Sequence, residues 1–233
     1  MRTRRRRSRP GRRHTSPRGG SAPLPGDWPL IPLKDLCQSL QTGPAGHAQD
    51  KGHTQADGGV PIVLPRDLNG HRIVSAADPA VVPAMSWERA RTRQLYLLTA
   101  GDILLTRTGT VGRLALVTGE HDGWLFHPNL VRIRLPDDGA ARSSYLAAYL
   151  SSHSAQDWVR TRAAGAVIPS VSLRTLGELP VPLPSAAEQR SIGETLAALD
   201  DKIRAHSEIA RATGEYRDVL AEALLTGALT TGP

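Results

Sequence analysis

The sequence predicts an α+β protein in which a mixed, β-rich body over residues 27–184 is followed by one long helix over residues 185–227. Two observations support this. Short apolar runs separated by Gly- and Pro-containing turns fill the body, as in small sheets. Apolar residues at alternating steps of four and three run through the C-terminal end, as in a coiled coil. An Arg-rich tail and Pro/Gly linker, residues 1–26, and a short tail, residues 228–233, are predicted to be disordered.

The formal net charge of +7 is unevenly distributed. Residues 1–20 hold nine arginines and no acidic residue, which leaves 20 basic against 22 acidic residues in the rest of the chain. The high isoelectric point therefore describes the tail and not the folded body. Two interpretations of the tail stay open: a non-specific phosphate-binding arm, or a disordered leader that includes translated sequence upstream of the true start.

Cysteine content and hydropathy indicate the compartment. A single cysteine, Cys37, excludes an internal disulfide framework and a Cys-based zinc site, which suits a reducing cytoplasm. No apolar run approaches the roughly 18 residues that a membrane span needs, so no membrane partner is expected. The Arg-rich start lacks the apolar stretch of a secretory signal.

The first part of the body alternates strand and turn signals. Trp28–Leu33 is predicted to be a short strand, and Lys34–Leu40 a turn of helix. A long polar loop over residues 41–59 follows, of a length that is usually functional or disordered. Val60–Pro65 is an apolar run typical of a strand, and residues 66–72 form a polar turn.

The second part of the body carries the strongest local signal. Gly101–Val117 reads as two strands joined by a glycine-bearing turn. Asn129–Leu135 alternates as a strand that points Arg132 and Arg134 outward. Ser143–Arg162 is then predicted to be helical, with its aromatic residues largely toward the core.

The long helix has a clear start and stop. Ser185 is placed as N-cap and Glu188 follows three residues later, which completes a capping box. Gly227 is placed as the C-cap. A helix over Ala186–Thr226 measures roughly 60 Å at ~1.5 Å per residue. Its apolar seam consists of Ile192, Leu196, Leu199, Ile203, Ala210, Leu220 and Leu224.

Polar residues weaken the middle of this seam. His206 and Thr213 occupy apolar positions, and Gly214 lowers helix propensity by about 1 kcal/mol relative to alanine. A break near Thr213 is therefore conceivable. Two interpretations of the helix stay open: it folds back on its own domain, or it pairs with another chain and the polar positions fix the register.

Catalytic motifs are missing from the sequence. It contains no phosphate-binding loop, no dinucleotide-binding glycine fingerprint and no nucleophile elbow. The eight histidines show no metal-ligand spacing. We therefore expect neither a catalytic residue nor a metal site in this chain.

Four stretches together give the chain a resemblance to a known family. They are the opening W-x-x-x-P-L-x-D-L of Trp28–Leu36, the hairpin Gly101–Arg113, the Pro-rich Leu179–Pro184, and Glu188–Arg190 at the start of the helix. In this order they resemble the specificity subunit of type I restriction–modification systems, the DNA-recognition component of a methyltransferase and restriction complex. The resemblance covers about residues 27 to 229.

The resemblance implies a half-size subunit or a fragment of a split or degraded gene. Family members usually contain two target recognition domains and two long helices, whereas this sequence has one of each. Residues 27–184 would be the target recognition domain and residues 185–227 the dimerisation helix. Two copies pairing their helices antiparallel would place one domain at each end and read an inverted repeat, and a different half-subunit as partner would give an asymmetric site.

The resemblance also implies that loops of the body read bases in the major groove of double-stranded DNA. The candidate DNA-binding residues are Arg66, Asn69, Arg72, Arg107, Thr108, Thr110, Arg162 and Ser170. Alternatives stay open for several of them. Arg66 and Arg107 would equally serve as structural ion-pair partners, and Thr108 and Thr110 would equally satisfy a turn.

Partners and cofactors follow from the same resemblance. Modification (methyltransferase) subunits would bind S-adenosylmethionine and methylate adenine, and restriction/translocase subunits would use ATP and Mg. This chain would bind none of these cofactors. The competing hypothesis is a truncated decoy or scaffold protein that pairs with an intact specificity subunit without reading DNA.

Overall fold

The computed structural model describes residues 28–45, 53–74, 76, 78–139, 141–165, 167–226 and 228. The predicted tails over residues 1–26 and 228–233 lie outside the described residues, apart from residue 228. So do the proposed C-cap Gly227 and part of the loop predicted over residues 41–59.

The body opens and closes on one pair of strands. Strand β1 (Leu30–Pro32) pairs antiparallel with β11 (Pro180–Pro182), the last strand before the long helix. Helix α1 (Leu33–Leu36) follows β1 directly and buries Leu33 and Leu36. The prediction of helix up to Leu40 was wrong.

The helix predicted over Lys34–Leu40 ends early because the next residues join a sheet. Cys37 is extended, with φ −97° and ψ 138°, and Ser39–Thr42 forms strand β2. Leu40 lies opposite Ile133 in this pairing. Tertiary strand pairing therefore overrides the local helix signal.

A four-stranded antiparallel sheet forms the centre of the body, in the order β2-β10-β7-β8. Strands β7 (Ile103–Thr106) and β8 (Leu114–Leu116) make the predicted hairpin, and β10 (Leu130–Arg134) confirms the predicted strand. All four residues of β7 are buried, as expected for a central strand with both faces covered.

A smaller sheet and a hairpin lie beside this one. Strand β3 (Val60–Val63) pairs antiparallel with β6 (Ala84–Met85) and parallel with β9 (Leu125–Phe126). Strands β4 (Leu68–Asn69) and β5 (Arg72–Ile73) form a two-residue hairpin within the predicted polar turn. Gly70 and His71 form the turn of this hairpin, and both residues have positive φ.

The segment after β6 consists of the short helix α2 (Trp87–Ala90) and a 3-10 helix over Arg91–Tyr96. It runs against the central sheet through the carbonyl groups of Leu95 and Leu97, which both accept hydrogen bonds from Arg132. The central sheet is thereby covered by this segment at β10.

Arg132 and Arg134 do not point outward as the strand alternation predicted. Arg132 is only 3% exposed and donates to Leu95, Leu97 and Gln41. Arg134 makes two hydrogen bonds to the Asp102 carboxylate, of 2.7 and 2.6 Å. The prediction failed because the 3-10 segment covers the sheet face that simple alternation assigns to solvent.

The helix predicted over Ser143–Arg162 is two helices, α3 (Ser143–Ser151) and α4 (His153–Arg162). The chain breaks at Ser152, which is extended at ψ 153° and whose hydroxyl caps α4 by accepting from the amide of Ala155. Serine competes well for exposed helix-start amides, which explains the break. The short helix α5 (Leu173–Gly177) then leads into β11.

Two tyrosines attach α3 to the closing strand. The hydroxyl of Tyr145 donates to the carbonyl of Pro182 at 2.6 Å, and the hydroxyl of Tyr149 donates to that of Pro180 at 2.7 Å. The main core, built from Leu, Ile and Val of β7, β10, α1, α3 and β11, lies beneath them.

The long helix α6 spans Ala186–Leu225, 40 residues, and confirms the predicted rod. The capping box is formed: the Ser185 hydroxyl accepts from the amide of Glu188, and the Glu188 carboxylate accepts from the amide of Ser185. The helix is continuous through Thr213, so the break considered there does not occur. Within the described ranges, no helix combines the length and apolar character that crossing a bilayer requires.

Candidate nucleic-acid interface

Three of the predicted DNA-binding residues meet where β7 ends. The backbone of Arg107–Gly109 runs beside that of Pro169–Val171, with Val171 donating to the Arg107 carbonyl and Gly109 donating to the Pro169 carbonyl, both at 2.9 Å. The hydroxyls of Thr108 and Ser170 lie 3.2 Å apart. The fold thus joins side chains that are 62 positions apart in the sequence.

The Arg107 side chain is partly occupied by this pairing. Its Nε donates to the carbonyl of Val171 at 3.3 Å, and the residue is half-buried. Neither of these contacts is with an acidic group. The guanidinium therefore keeps donor capacity for an acceptor outside the chain.

Two further predicted residues, Asn69 and Thr110, line one cleft of about 400 Å³ between the β4–β5 hairpin, the β7–β8 turn and α4. Both are exposed. Arg113 and Arg160 line the same cleft. Amide, hydroxyl and guanidinium groups on one concave surface suit an anionic, hydrogen-bonding partner such as DNA.

The β7–β8 turn is held in shape by Gln156 of α4. The Gln156 Nε2 donates to the carbonyls of Gly112 and Leu150, at 2.9 and 2.7 Å. Gly112 has φ +96°, and a Cβ there would lie 2.4 Å from the Gln156 Oε1. Only glycine fits this close approach, which fixes the turn that presents Thr110.

We call Asn69, Arg107, Thr108, Thr110 and Ser170 the reading patch, because the structure brings these five predicted residues to neighbouring positions. The role of each in DNA binding stays a prediction. The other three predicted residues lie elsewhere.

Arg66, Arg72 and Arg162 occupy separate environments. Arg66 has an exposed side chain, 3.8 Å from Asp67. Arg72 forms an ion pair with Asp201 of α6. Arg162 stacks on Trp158, with the guanidinium carbon 4.1 Å from the ring centroid.

Sequence reasoning did not select Arg113 and Arg160 as candidates, although both line the cleft. Arg113 lay inside the recognised hairpin motif, next to residues that were selected. Arg160 lies in the last turn of α4, where a basic residue normally indicates only a favourable helix end. It also pairs with Asp157 at 2.6 Å.

The buried charges of the central sheet are structural. The bond to Asp102 raises the pKa of Arg134, and burial lowers the pKa of Arg132. Asp102 also accepts a hydrogen bond from the amide of Thr99 at 2.9 Å. The Nε of Arg132 is buried without a hydrogen-bond partner, but it lies inside the body and away from the reading patch.

Metal ligands do not cluster in the described part of the chain. No three His, Cys, Asp or Glu side chains there come close enough to hold a metal ion.

The first part of α6 packs against the body. Gly193 is buried at the contact with α3, where a Cβ would lie 2.6 Å from the Ser144 hydroxyl oxygen. Gln189 is 1% exposed and its side chain bonds to the amide of Arg142 and the carbonyl of Pro184. His71 Nδ1 lies 3.0 Å from Asp200 Oδ2, beside the Arg72–Asp201 pair.

The rest of α6 extends away from the body. Residues 201–213 are all exposed. Of the predicted seam, Ile192 is half-buried and Leu196 lines a small cleft of about 140 Å³ against the β4–β5 hairpin and α3. The more distal large apolar side chains of α6 that are exposed are Leu199, Ile203, Ile209, Tyr216, Val219, Leu224 and Leu225. The predicted Leu220 is half-buried.

The first part of α6 thus packs on its own domain, whereas pairing of the rest with another chain stays a prediction. Leu196 faces the chain's own domain, whereas Leu199 and Ile203 are 51% and 63% exposed. Ile209, Tyr216 and Val219 were not part of the predicted seam. They lie on a neighbouring stripe of the helix, at positions that the predicted heptad seam does not include.

Comparison with known proteins agrees with this architecture. Residues 25–211 match the family of the type I restriction modification DNA specificity domain. The chain is 24% identical over 182 residues to the type I restriction enzyme MjaIX specificity subunit of Methanocaldococcus jannaschii, covering 77% of this chain and 39% of that protein.

Solved structures show the same fold. A chain from a study of complex assembly and conformational transition of the type I R-M system superposes with a TM-score of 0.60 at 18% identity, over 90% of this chain and 47% of that one. The type I restriction–modification S subunit from M. genitalium gives a TM-score of 0.58 at 17% identity, over 87% and 47%.

The present chain spans less than half the length of each of these proteins. The match to the family covers most of the described body and the first part of the long helix. On this evidence the chain belongs to the family of type I restriction–modification DNA specificity domains.

Proposed function

We propose that this chain is a DNA sequence-recognition subunit of a type I restriction–modification complex, and that it works as a dimer of half-subunits in the cytoplasm. The observation that carries the proposal is that the molecule consists of two parts, a body and a long helix. A compact body presents the reading patch, and a helix continuous with it leaves a row of large apolar side chains in water.

The reading patch supports the DNA-binding half of the proposal. Hydroxyl, amide and guanidinium groups are the side chains that read base edges and hold phosphates. Arg113 and Arg160 beside the patch add positive charge. Because the body is nearly neutral overall, DNA binding in this proposal rests on the individual groups of the patch and not on net charge.

The distal part of α6 supports the dimer. Exposed Ile203, Ile209 and Val219, at 63–70% exposure, are unfavourable in water unless another helix covers them. An antiparallel pair would set two bodies at a fixed separation along the rod. The spacing of the two half-sites would then follow from the length of the helix.

Partner subunits supply the chemistry in this proposal. Modification subunits would bind S-adenosylmethionine and methylate adenine at the recognised site, and restriction/translocase subunits would use ATP and Mg for cleavage. This chain would bind double-stranded DNA and these subunits, and would itself hold no cofactor.

Methylome sequencing tests the recognition role. The chain and its modification subunit are co-expressed in a host without adenine methylation, and the modified positions are mapped. A single bipartite adenine mark that requires the chain is expected, and Asn69→Ala with Thr108→Ala should relax or abolish it. Arg66→Ala, outside the reading patch, is the matched comparison.

An unchanged set of marks with and without the chain would contradict the recognition role and favour the decoy or scaffold. Light scattering of the full chain tests the dimer separately. A monomer mass both alone and with the modification subunit would exclude the half-subunit arrangement.

A further inference from the structure

An apolar loop emerges between α4 and the reading patch. Two backbone hydrogen bonds between Ala164 and Ser170, of 2.9 and 2.8 Å, close its ends. Gly165 has φ +116°, and a Cβ there would lie 2.4 Å from the Ile168 carbonyl oxygen. The turn is therefore tight and requires glycine.

The loop presents Val167 and Ile168 to solvent. Val167 is 91% exposed, the largest exposure of any large hydrophobic side chain in the described part of the chain, and Ile168 is 60% exposed. Both side chains are β-branched and stiff at χ1, so they present a defined shape with little rotamer entropy to lose. A rigid apolar tip held in water indicates a surface that another molecule covers.

The position of the tip indicates what covers it. Pro169, next to Ile168, accepts a hydrogen bond from Gly109, and Ser170 lies against Thr108. The tip is thus continuous with the reading patch through the backbone. A molecule that lies against Thr108 and Ser170 is therefore within two residues of Ile168 along the chain.

The charges around the loop favour DNA over an apolar protein surface. Arg107 donates to the carbonyl of Val171, directly after the loop, and Arg162 is the last residue of α4, two positions before Ala164. Asp157, the acidic residue of α4, is already paired with Arg160 and His153. Positive groups flanking a small apolar tip suit phosphates flanking an apolar group in a groove.

We infer that Val167 and Ile168 contact the C5-methyl groups of thymine in the major groove. This inference rests on the proposed function. An A·T pair presents a methyl group beside polar edges in that groove, and apolar side chains read the methyl. The structure provides both kinds of contact side by side, since the Thr108 and Ser170 hydroxyls adjoin the tip.

Replacing thymine by deoxyuridine tests the contact, because it removes the methyl group and leaves the base-pairing edges unchanged. The full chain with its modification subunit first selects a motif from a pool of random duplexes. Each thymine of that motif is then replaced singly by deoxyuridine. At one or two positions we expect the affinity of the wild type to fall about three- to tenfold.

The variant V167S/I168S closes the cycle. It should bind the thymine duplex about three- to tenfold more weakly than the wild type does. Replacing thymine by deoxyuridine should not lower the affinity of this variant further. Exchange of the two residues, V167I/I168V, keeps the apolar surface and should retain wild-type affinity and deoxyuridine sensitivity. L95S removes an equally apolar side chain, 81% exposed on another segment, and should leave affinity unchanged.

Several results would overturn the inference. A methyl contact is excluded if no deoxyuridine replacement lowers the affinity of the wild type. It is also excluded if deoxyuridine lowers the affinity of V167S/I168S as much as that of the wild type. If binding raises the fluorescence of 2-aminopurine placed in the duplex, and deoxyuridine has no effect on affinity, the tip inserts between base steps instead. If V167S/I168S no longer assembles with the modification subunit, and the affinity of the wild type does not depend on deoxyuridine, the tip contacts the modification subunit and not DNA.

The outcome also separates this inference from the proposed function. If the wild type selects a motif and the methyl groups in it do not matter, only the thymine contact is wrong. If the wild type selects no motif at all, the recognition role fails and the thymine contact fails with it.

Discussion

The long helix consists of two regions with opposite surroundings. Its first region, Ala186–Asp201, packs on the body through small residues and charges, with Gly193 buried against α3 and Asp200 and Asp201 beside the β4–β5 hairpin. Its second region, Lys202–Leu225, carries large apolar side chains that are mostly exposed. One continuous helix therefore packs on the body with its first region and leaves the large apolar side chains of its second region exposed.

The difference lies in side-chain size. Close helix packing needs small residues at the contact, and the first region provides Gly193 and Ala197 there. The second region has Ile203, Ile209 and Tyr216 at outward positions. We therefore expect substitutions in the two regions to have separable effects, one on folding and one on self-association.

Gly193→Leu should have the largest effect and should act on the first region. Its Cβ would meet the Ser144 hydroxyl at 2.6 Å and the Tyr145 amide nitrogen at 3.2 Å, so α6 must shift away from α3. We expect the free energy of unfolding to fall by about 3 kcal/mol. Chemical denaturation followed by circular dichroism measures this.

Leucine is a good helix former, so such a loss reports crowding at α3 and not helix propensity. Unchanged stability of Gly193→Leu would show that the first region is not packed on the body.

Ile203→Asp should act on the second region alone. Ile203 is 63% exposed, so its replacement leaves the body intact, but a charge in a helix–helix seam loses about 2 kcal/mol of apolar burial in the dimer. The apparent dissociation constant from sedimentation velocity should rise roughly thirtyfold. Lys202→Ala, one position away, also lowers the net charge by one and is the comparison for the change in charge.

Gly214→Ala should strengthen the second region. No heavy atom lies within 4 Å of the position that a Cβ would take, so the change meets no crowding. Alanine then stabilises the helix by about 1 kcal/mol. Hydrogen exchange of the amides around Gly214 should slow, and a faster exchange would indicate that the glycine serves a close contact with another helix.

The smallest effect is expected where the hairpin touches the helix. The Arg72–Asp201 pair is roughly half exposed on both sides, so solvent screens it. A double-mutant cycle with Arg72→Ala and Asp201→Ala should give a coupling free energy of about 0.5 kcal/mol that disappears in 1 M salt. A coupling that persists in salt would indicate a stronger link between hairpin and rod than the geometry implies.

Sequence patterns predicted the features that depend on near neighbours. The capping box of Ser185 and Glu188, the β7–β8 hairpin and the length of α6 all follow from spacings of a few residues, and all are present. Their signals are local because the hydrogen bonds that form them are local.

The same patterns did not predict features that depend on distant parts of the chain. Arg132 is buried because a segment 35 to 37 positions earlier covers it, and alternation along β10 carries no information about that cover. Ser170 meets Thr108 across 62 positions. Leu196 lies against its own body because Gly193 allows the helix to approach, which a heptad pattern does not show.

The pairing of β1 with β11 has a consequence for how such proteins can change. Because these strands lie side by side, the chain enters and leaves the body at a single point next to the root of α6. Everything between Leu33 and Leu179 can then be regarded as a cassette inserted at that point. Under the proposed function, transplanting a foreign cassette there is expected to alter the recognised DNA sequence while the half-site spacing stays the same.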